Sequence, residues 1–233
     1  MIDFTAIFTL VHNDGVDSSP RTTILFLSFL SCWILTYIYC YAYQGGLRAF
    51  SKNHTVHLFH SIMLVLISSI SLFVRNEEVF SEKIPLFFTV SYFIVDLLDC
   101  VVRADVPFTA HAILSLLCSL GCYRSPVLMM HQTCSKGAMC ELSTYSFHKW
   151  GKTKTKYDFV CFFTLFTMCR IVWLPIFLHG ANSVIGFHWQ VKAGMMMYCL
   201  QVFWWFKMLH ILVNYKERIH EHIPDDYKNK KEE

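Results

Sequence analysis

Tyr157 to Leu178 reads YDFVCFFTLFTMCRIVWLPIFL, an apolar run with Asp158 at its edge and a single charge, Arg170, deep inside it. A hydrocarbon core of about 30 Å requires roughly twenty predominantly apolar residues in a helix, so this stretch reads as a transmembrane span. A cation at such depth is costly unless it faces a bundle interior or a wet cavity and finds a partner there. One segment therefore predicts a membrane helix and, beside it, other helices that carry acids.

Comparable runs lie at Thr23 to Tyr43, Val56 to Val74, Ile84 to Val102, Pro107 to Gly121, Pro126 to Phe147 and Val191 to Val213. The fold class they predict is all-α, a polytopic transmembrane bundle of about seven spans, six being the lower alternative. The fourth run is short, and the fifth carries Gln132, Lys136 and Glu141. The fifth is nonetheless read as a span, because an apolar arm that enters the bilayer beside it must return. Composition agrees: 55% of residues are hydrophobic and only 16% charged, too few polar groups to clothe a soluble surface. The chain divides into a non-cytosolic segment at 1–21, a membrane domain at 22–214 and a charged tail at 215–233, with no internal repeat and no linker.

Basic residues favour cytoplasmic loops. With seven spans and the N-terminus outside, twelve lysines and arginines fall inside, among them Arg48, Arg103, Lys149, Lys152, Lys154 and Lys156, against five outside. This predicts a lumenal N-terminus, a cytosolic C-terminus and no glycan on the Asn53-His54-Thr55 sequon. The first twenty residues lack a basic start and a small-residue cleavage site, which argues against a removable signal peptide. Lys230 and Lys231 sit before the terminal Glu232-Glu233 and resemble a dilysine retrieval signal, read by coat proteins and keeping a protein in the endoplasmic reticulum. A merely basic tail is the plainer alternative. Ten cysteines without a CxxC pair, most of them inside apolar runs, read as small hydrophobes.

The ionisable residues set well inside the runs include His60, Asp96, Asp99, His111, Lys136, Glu141, Arg170 and Lys207. At about 1.5 Å per residue from the cytoplasmic ends, Asp99 and His111 stand roughly 6 Å deep, Asp96, Glu141 and Lys207 about 10 Å, and Lys136 and Arg170 around 20 Å. Asp96 and Asp99 share a helix face, and the tight Ala104 to Val106 connection returns His111 beside them. A carboxylate that orients an imidazole suits proton transfer; a structural clamp between helices uses the same residues. Glu141 with Lys207 or Lys136, and either aspartate with Arg170, would balance three acids against three bases. Such an interior suits a zwitterionic headgroup too. His54, His57 and His60 recur every third residue, but no second histidine cluster accompanies them and no metal is expected. His54 and His57 read as interfacial. No phosphate loop, nucleophile elbow or nucleic-acid motif occurs.

His60-Ser61, Ser91-Tyr92-Phe93-Ile94-Val95-Asp96, His111 with Ser115-Leu116, Glu141-Leu142-Ser143-Thr144 and Arg170 together resemble the TLC (TRAM/LAG/CLN homology) domain over about residues 50 to 214, most closely its small TLC domain-containing members. The resemblance implies a bundle around a central lipid cavity and roles in lipid synthesis, sensing or trafficking. In the ceramide synthases of that family a histidine pair assists acyl transfer from acyl-CoA to a sphingoid amine; here His111 matches the first histidine and Ala112 stands at the second. Three functions follow as expectations. The chain binds or handles phospholipid or sphingolipid and adjusts membrane composition, with membrane lipids as its partners. Alternatively it is an N-acyltransferase, with His111, Asp96 and Asp99 catalytic and acyl-CoA as co-substrate rather than a resident cofactor. The third alternative is a membrane cargo adaptor.

Overall fold

The computed structural model describes residues 19–44, 46, 49–76 and 79–215, leaving out the side chains of Gln44, Ser51 and Lys52. The predicted retrieval signal at Lys230 and Lys231, with most of the N-terminal segment and the charged tail, lies outside the described residues. What is described is helical throughout: α1 (Pro20–Gln44), the short α2 (Ala49–Lys52), α3 (His54–Val74), α4 (Lys83–Val102), α5 (Val106–Tyr123), α6 (Pro126–Met130), α7 (Thr133–Ala138), a 3₁₀ turn (Met139–Glu141), α8 (Leu142–Thr153), α9 (Lys156–Phe166), a π-helical turn (Thr167–Val172), α10 (Trp173–Ile185) and α11 (Trp189–Val213).

Side chains at the ends start and stop these helices. The Asn53 carboxamide accepts from the amides of Thr55 and Val56 and begins α3; Asp105 does the same for Phe108 in α5, with Pro107 just inside, and Ser125 and Thr155 cap α6 and α9. Arg75 and Lys154 adopt the left-handed conformation where α3 and α8 end, and Ala104 does so in the reversal between α4 and α5. That reversal makes α4 and α5 close antiparallel neighbours, as their sequence spacing predicts.

Six continuous helices are long and apolar enough to cross a membrane: α1, α3, α4, α5, the α9–π–α10 unit and α11. The run at Pro126 to Phe147, expected as one span, is instead broken into α6, α7, the 3₁₀ turn and the start of α8, with Gln132 left-handed at the first break. It still runs the length of the bundle. Gln132 donates to the Ser71 carbonyl at the far end of α3, and His148 meets His54 at its beginning. A broken helix inside a membrane is tolerated where protein covers it. The buried faces of α7 and α8, carrying Thr133, Cys134, Ser135, Ser143 and Ser146, supply that cover against α3.

The bundle is centred on α4, whose residues Pro85 to Phe93 are all buried, and which packs against α1, α3 and α5. Trp33 of α1 meets Phe88 at a tilt and Tyr92 edge-to-face, at 5.5 and 5.1 Å, and anchors the first helix. On the other flank Phe159, Phe162, Phe166 and Met208 tie α9 to α11. Lipid tails are as apolar as these side chains, so close packing rather than water exclusion holds the helices together. Ile34, Leu35, Ile38, Phe73, Met196 and Phe206 point outward, a surface suited to hydrocarbon.

Candidate functional site: a polar-lined chamber between helices

Arg170 lies in the π turn of the long α9–π–α10 helix. One extra residue per turn is the kind of irregularity that accompanies functional sites, and it re-aims the side chains around it. Here the guanidinium turns inward and is buried. Its Nη2 forms an ion pair with Glu141 Oε1 at 3.2 Å, while Nε donates to Ser143 Oγ, Nη1 to Gln201 Oε1 and Nη2 also to Thr144 Oγ1. The other Glu141 oxygen accepts from Ser61 of α3 at 3.0 Å and from Thr144 at 2.7 Å. Four separate stretches of chain close this network around one buried pair. Every charge in it is met by a charge or a hydrogen bond, as a low-dielectric interior requires.

The network forms the inner wall of a half-open cavity of about 750 Å³. Polar lining comes from α3, α4 and α5: His57, His60, Asp96, Arg103 and His111 among others. Aromatic lining comes mainly from α8, α9 and α11, with Phe147, Trp150, Phe162 and Trp204. The remaining wall residues include His54, Asp105, Phe159, Met208 and Ile211, which sit at the ends of their helices, so the cavity opens at the end of the bundle where α3 and α5 begin and α11 finishes.

Of the predicted residues, the cavity wall gathers His60, Asp96, His111, Glu141, Arg170 and Lys207. Asp99 and Lys136 are not in it. Asp99 was expected to share the Asp96 face, but Arg103, four residues on, takes its carboxylate at 2.7 Å and holds it on a fully buried side away from the chamber. Arg103 also reaches Asp105 at 3.3 Å. Lys136 lies outside the wall, and its carbonyl accepts from the Trp173 indole. The expected pairings are corrected accordingly: Glu141 pairs with Arg170 and with neither lysine, and neither aspartate reaches Arg170.

His111 is also placed differently from the proton-transfer expectation. Its ring lies against Phe93 and Trp204, at centroid distances of 5.7 and 5.3 Å, and its Nδ1 is buried without a partner. Among the described residues no hydrogen bond joins it to Asp96 or Asp99. Asp96 itself is buried in the wall with no hydrogen bond or ion pair among those residues. His60 stacks on Tyr92 at 3.7 Å and leaves its Nε2 unpartnered. Lys207 holds its ammonium 4.5 Å above the centre of the Phe203 ring, with no acid beside it among the described residues.

The sequence did not single out Tyr92 as a site residue, nor His148 and Gln201. Tyr92 shares a 2.6 Å hydrogen bond with His57; His148 meets the His54 ring nitrogen at 3.0 Å and lies parallel to the His57 ring. His54 and His57 thus join the chamber mouth rather than an interface alone. Burial, then the neighbouring His57 and His54, pushes the pKa of His148 down to about 4. Gln201, a fully buried amide in the apolar α11, was the one with a readable signal.

The chain matches no protein family, no curated protein and no solved structure.

Proposed function

We propose that this protein is a TLC-like membrane protein that binds lipid in the chamber and through it adjusts the lipid composition of the endoplasmic reticulum membrane. The observation that carries this reading is the cavity itself: about 750 Å³, aromatic along one side and polar along the other, inside a bundle with lipid-suited outer faces. Its volume falls within the range of small-molecule sites, and its mixture of apolar walls with a few placed polar groups is what an amphiphile requires. Of the residues that carry the TLC resemblance, His60, Ser61, Tyr92, Phe93, Asp96, His111, Glu141, Ser143, Thr144 and Arg170 line it, and Ser91, Ile94, Val95, Ser115, Leu116 and Leu142 do not. The orientation proposed is N-terminus lumenal and C-terminus cytosolic, with Lys230 and Lys231 as the retrieval signal. In that orientation the mouth faces the cytosol, and a glycan on Asn53, whose carboxamide caps α3, would invert the assignment.

The N-acyltransferase reading keeps one observation in its favour, the unpartnered Nδ1 of His111 in the chamber wall. Acting as base it would take a proton from a lipid amine, with no carboxylate to orient it. One experiment separates the two. The protein is purified in mild detergent, its bound lipid is identified by mass spectrometry, and acyl-CoA and sphingosine are then supplied. Retained lipid that stays chemically unchanged supports binding; turnover abolished by His111→Ala replaces it with catalysis. A chamber that retains no lipid beyond the detergent background contradicts the proposal.

A further inference from the structure

The charged groups of the chamber fall into two kinds. Glu141 and Arg170 satisfy each other, and Arg103 is held by Asp99 and Asp105. Asp96 and Lys207 are the two wall residues of opposite charge with no ionic partner among the described residues. They share a level as well. Each stands six residues before the last residue of its helix, Val102 in α4 and Val213 in α11, which puts both about 9 Å from the same end of the bundle.

An unpaired carboxylate in a low-dielectric wall is costly until a cation meets it. The same wall offers a lysine for an anion. A singly charged chain satisfies only one of the two: a fatty acid would place its carboxylate in the field of Asp96, and a long-chain amine would set its ammonium against Lys207. A zwitterion satisfies both.

We infer that the chamber is a site for a zwitterionic phospholipid headgroup, its ammonium on Asp96 and its phosphate on Lys207, with an acyl chain along Phe162, Phe166 and Met208. This rests on the lipid-binding reading above and adds to it the headgroup.

The test uses native mass spectrometry of the full chain in a non-ionic detergent, with four probes supplied in turn: 18-carbon lysophosphatidylcholine, the two-chain phosphatidylcholine, oleic acid and oleylamine. The two zwitterionic lipids are retained in preference to oleic acid and oleylamine. Asp96→Asn and Lys207→Gln each weaken that retention about two- to fivefold, the effect of one ion pair. They also shift the preference in opposite directions, Asp96→Asn toward oleic acid and Lys207→Gln toward oleylamine. Lys207 is exposed on α11, so its variant keeps the test available if the Asp96 variant does not fold. Equal retention of oleic acid or oleylamine, or zwitterion selectivity unmoved by Lys207→Gln, overturns the inference while leaving lipid binding standing. Retention of none of the four, with no lipid carried through purification, overturns both.

Discussion

Two glutamates that tie the broken segment to α3, Glu82 fully buried and Glu141 largely so, are held in nearly parallel ways. Glu82, just before α4, accepts from Ser71 Oγ of α3 at 2.7 Å, from Ser135 Oγ at 2.6 Å and from the Ser135 amide at 2.7 Å. Glu141 accepts from Ser61 Oγ of the same helix and from Thr144 Oγ1, and also from Arg170. Each node thus fastens α3 to the broken segment through one α3 serine and a nearby hydroxyl. The difference is in what lies beside them. Glu82 is enclosed completely, with no part in the chamber wall, whereas Glu141 lines a cavity whose other walls carry unpartnered groups. A buried carboxylate alone is a fastening; facing open volume and unsatisfied neighbours, it becomes part of a site.

The largest effect that separates the nodes comes from Arg170→Met. It strands Glu141 as an uncompensated buried charge, and thermal unfolding in detergent should register a loss of about 3–5 kcal/mol together with loss of retained lipid. Adding Glu141→Gln to that variant recovers much of the stability. Failure of the double variant to recover would place the cost in packing rather than charge. Glu82→Gln comes next. It puts an amide NH₂ among donors and should cost about 1–3 kcal/mol by the same measurement, with lipid retention unchanged. If Glu82→Gln empties the chamber, the contrast between fastening and site is lost.

A smaller effect belongs to the mouth. His148 is held neutral, with its pKa at about 4 against 6.5 for the free side chain. The unfolded chain therefore binds the proton first, so stability is whole above about pH 6.5 and declines as pH falls from there toward 4. His148→Phe should flatten that part of the pH–melting curve. A slope unchanged by the variant would assign the dependence elsewhere. The smallest effect is expected at Lys136→Gln. Standing outside the chamber wall, it should shift stability by no more than about 0.5 kcal/mol and leave bound lipid as it is.

The same contrast shows what a sequence discloses and what it withholds. The run at Tyr157 to Leu178 is legible because length and apolarity survive any context, and the six continuous helices follow from such runs. The Pro126 to Phe147 run is legible as a pass along the bundle but not as a broken one, since the left-handed turn at Gln132 is stabilised by a carbonyl of α3, far away in sequence. The cost of burying Arg170 signals that a partner exists. Which acid it finds depends on helix rotation, and the π turn that aims Arg170 leaves no mark in hydropathy. Asp99 and Asp96 look equivalent on a helical wheel, yet Arg103 at the end of α4 takes one and leaves the other to the chamber. His148 reads as a residue of a basic loop until α8 folds back on α3.

Imaging the chain by electron cryomicroscopy in nanodiscs of native lipid asks most directly whether these scattered polar residues enclose a lipid. Continuous amphiphile density between Asp96, His111 and the Glu141–Arg170 pair, extending along Phe162, is the predicted result. A space filled by the protein's own side chains, or those residues turned apart toward the surrounding bilayer, would contradict it.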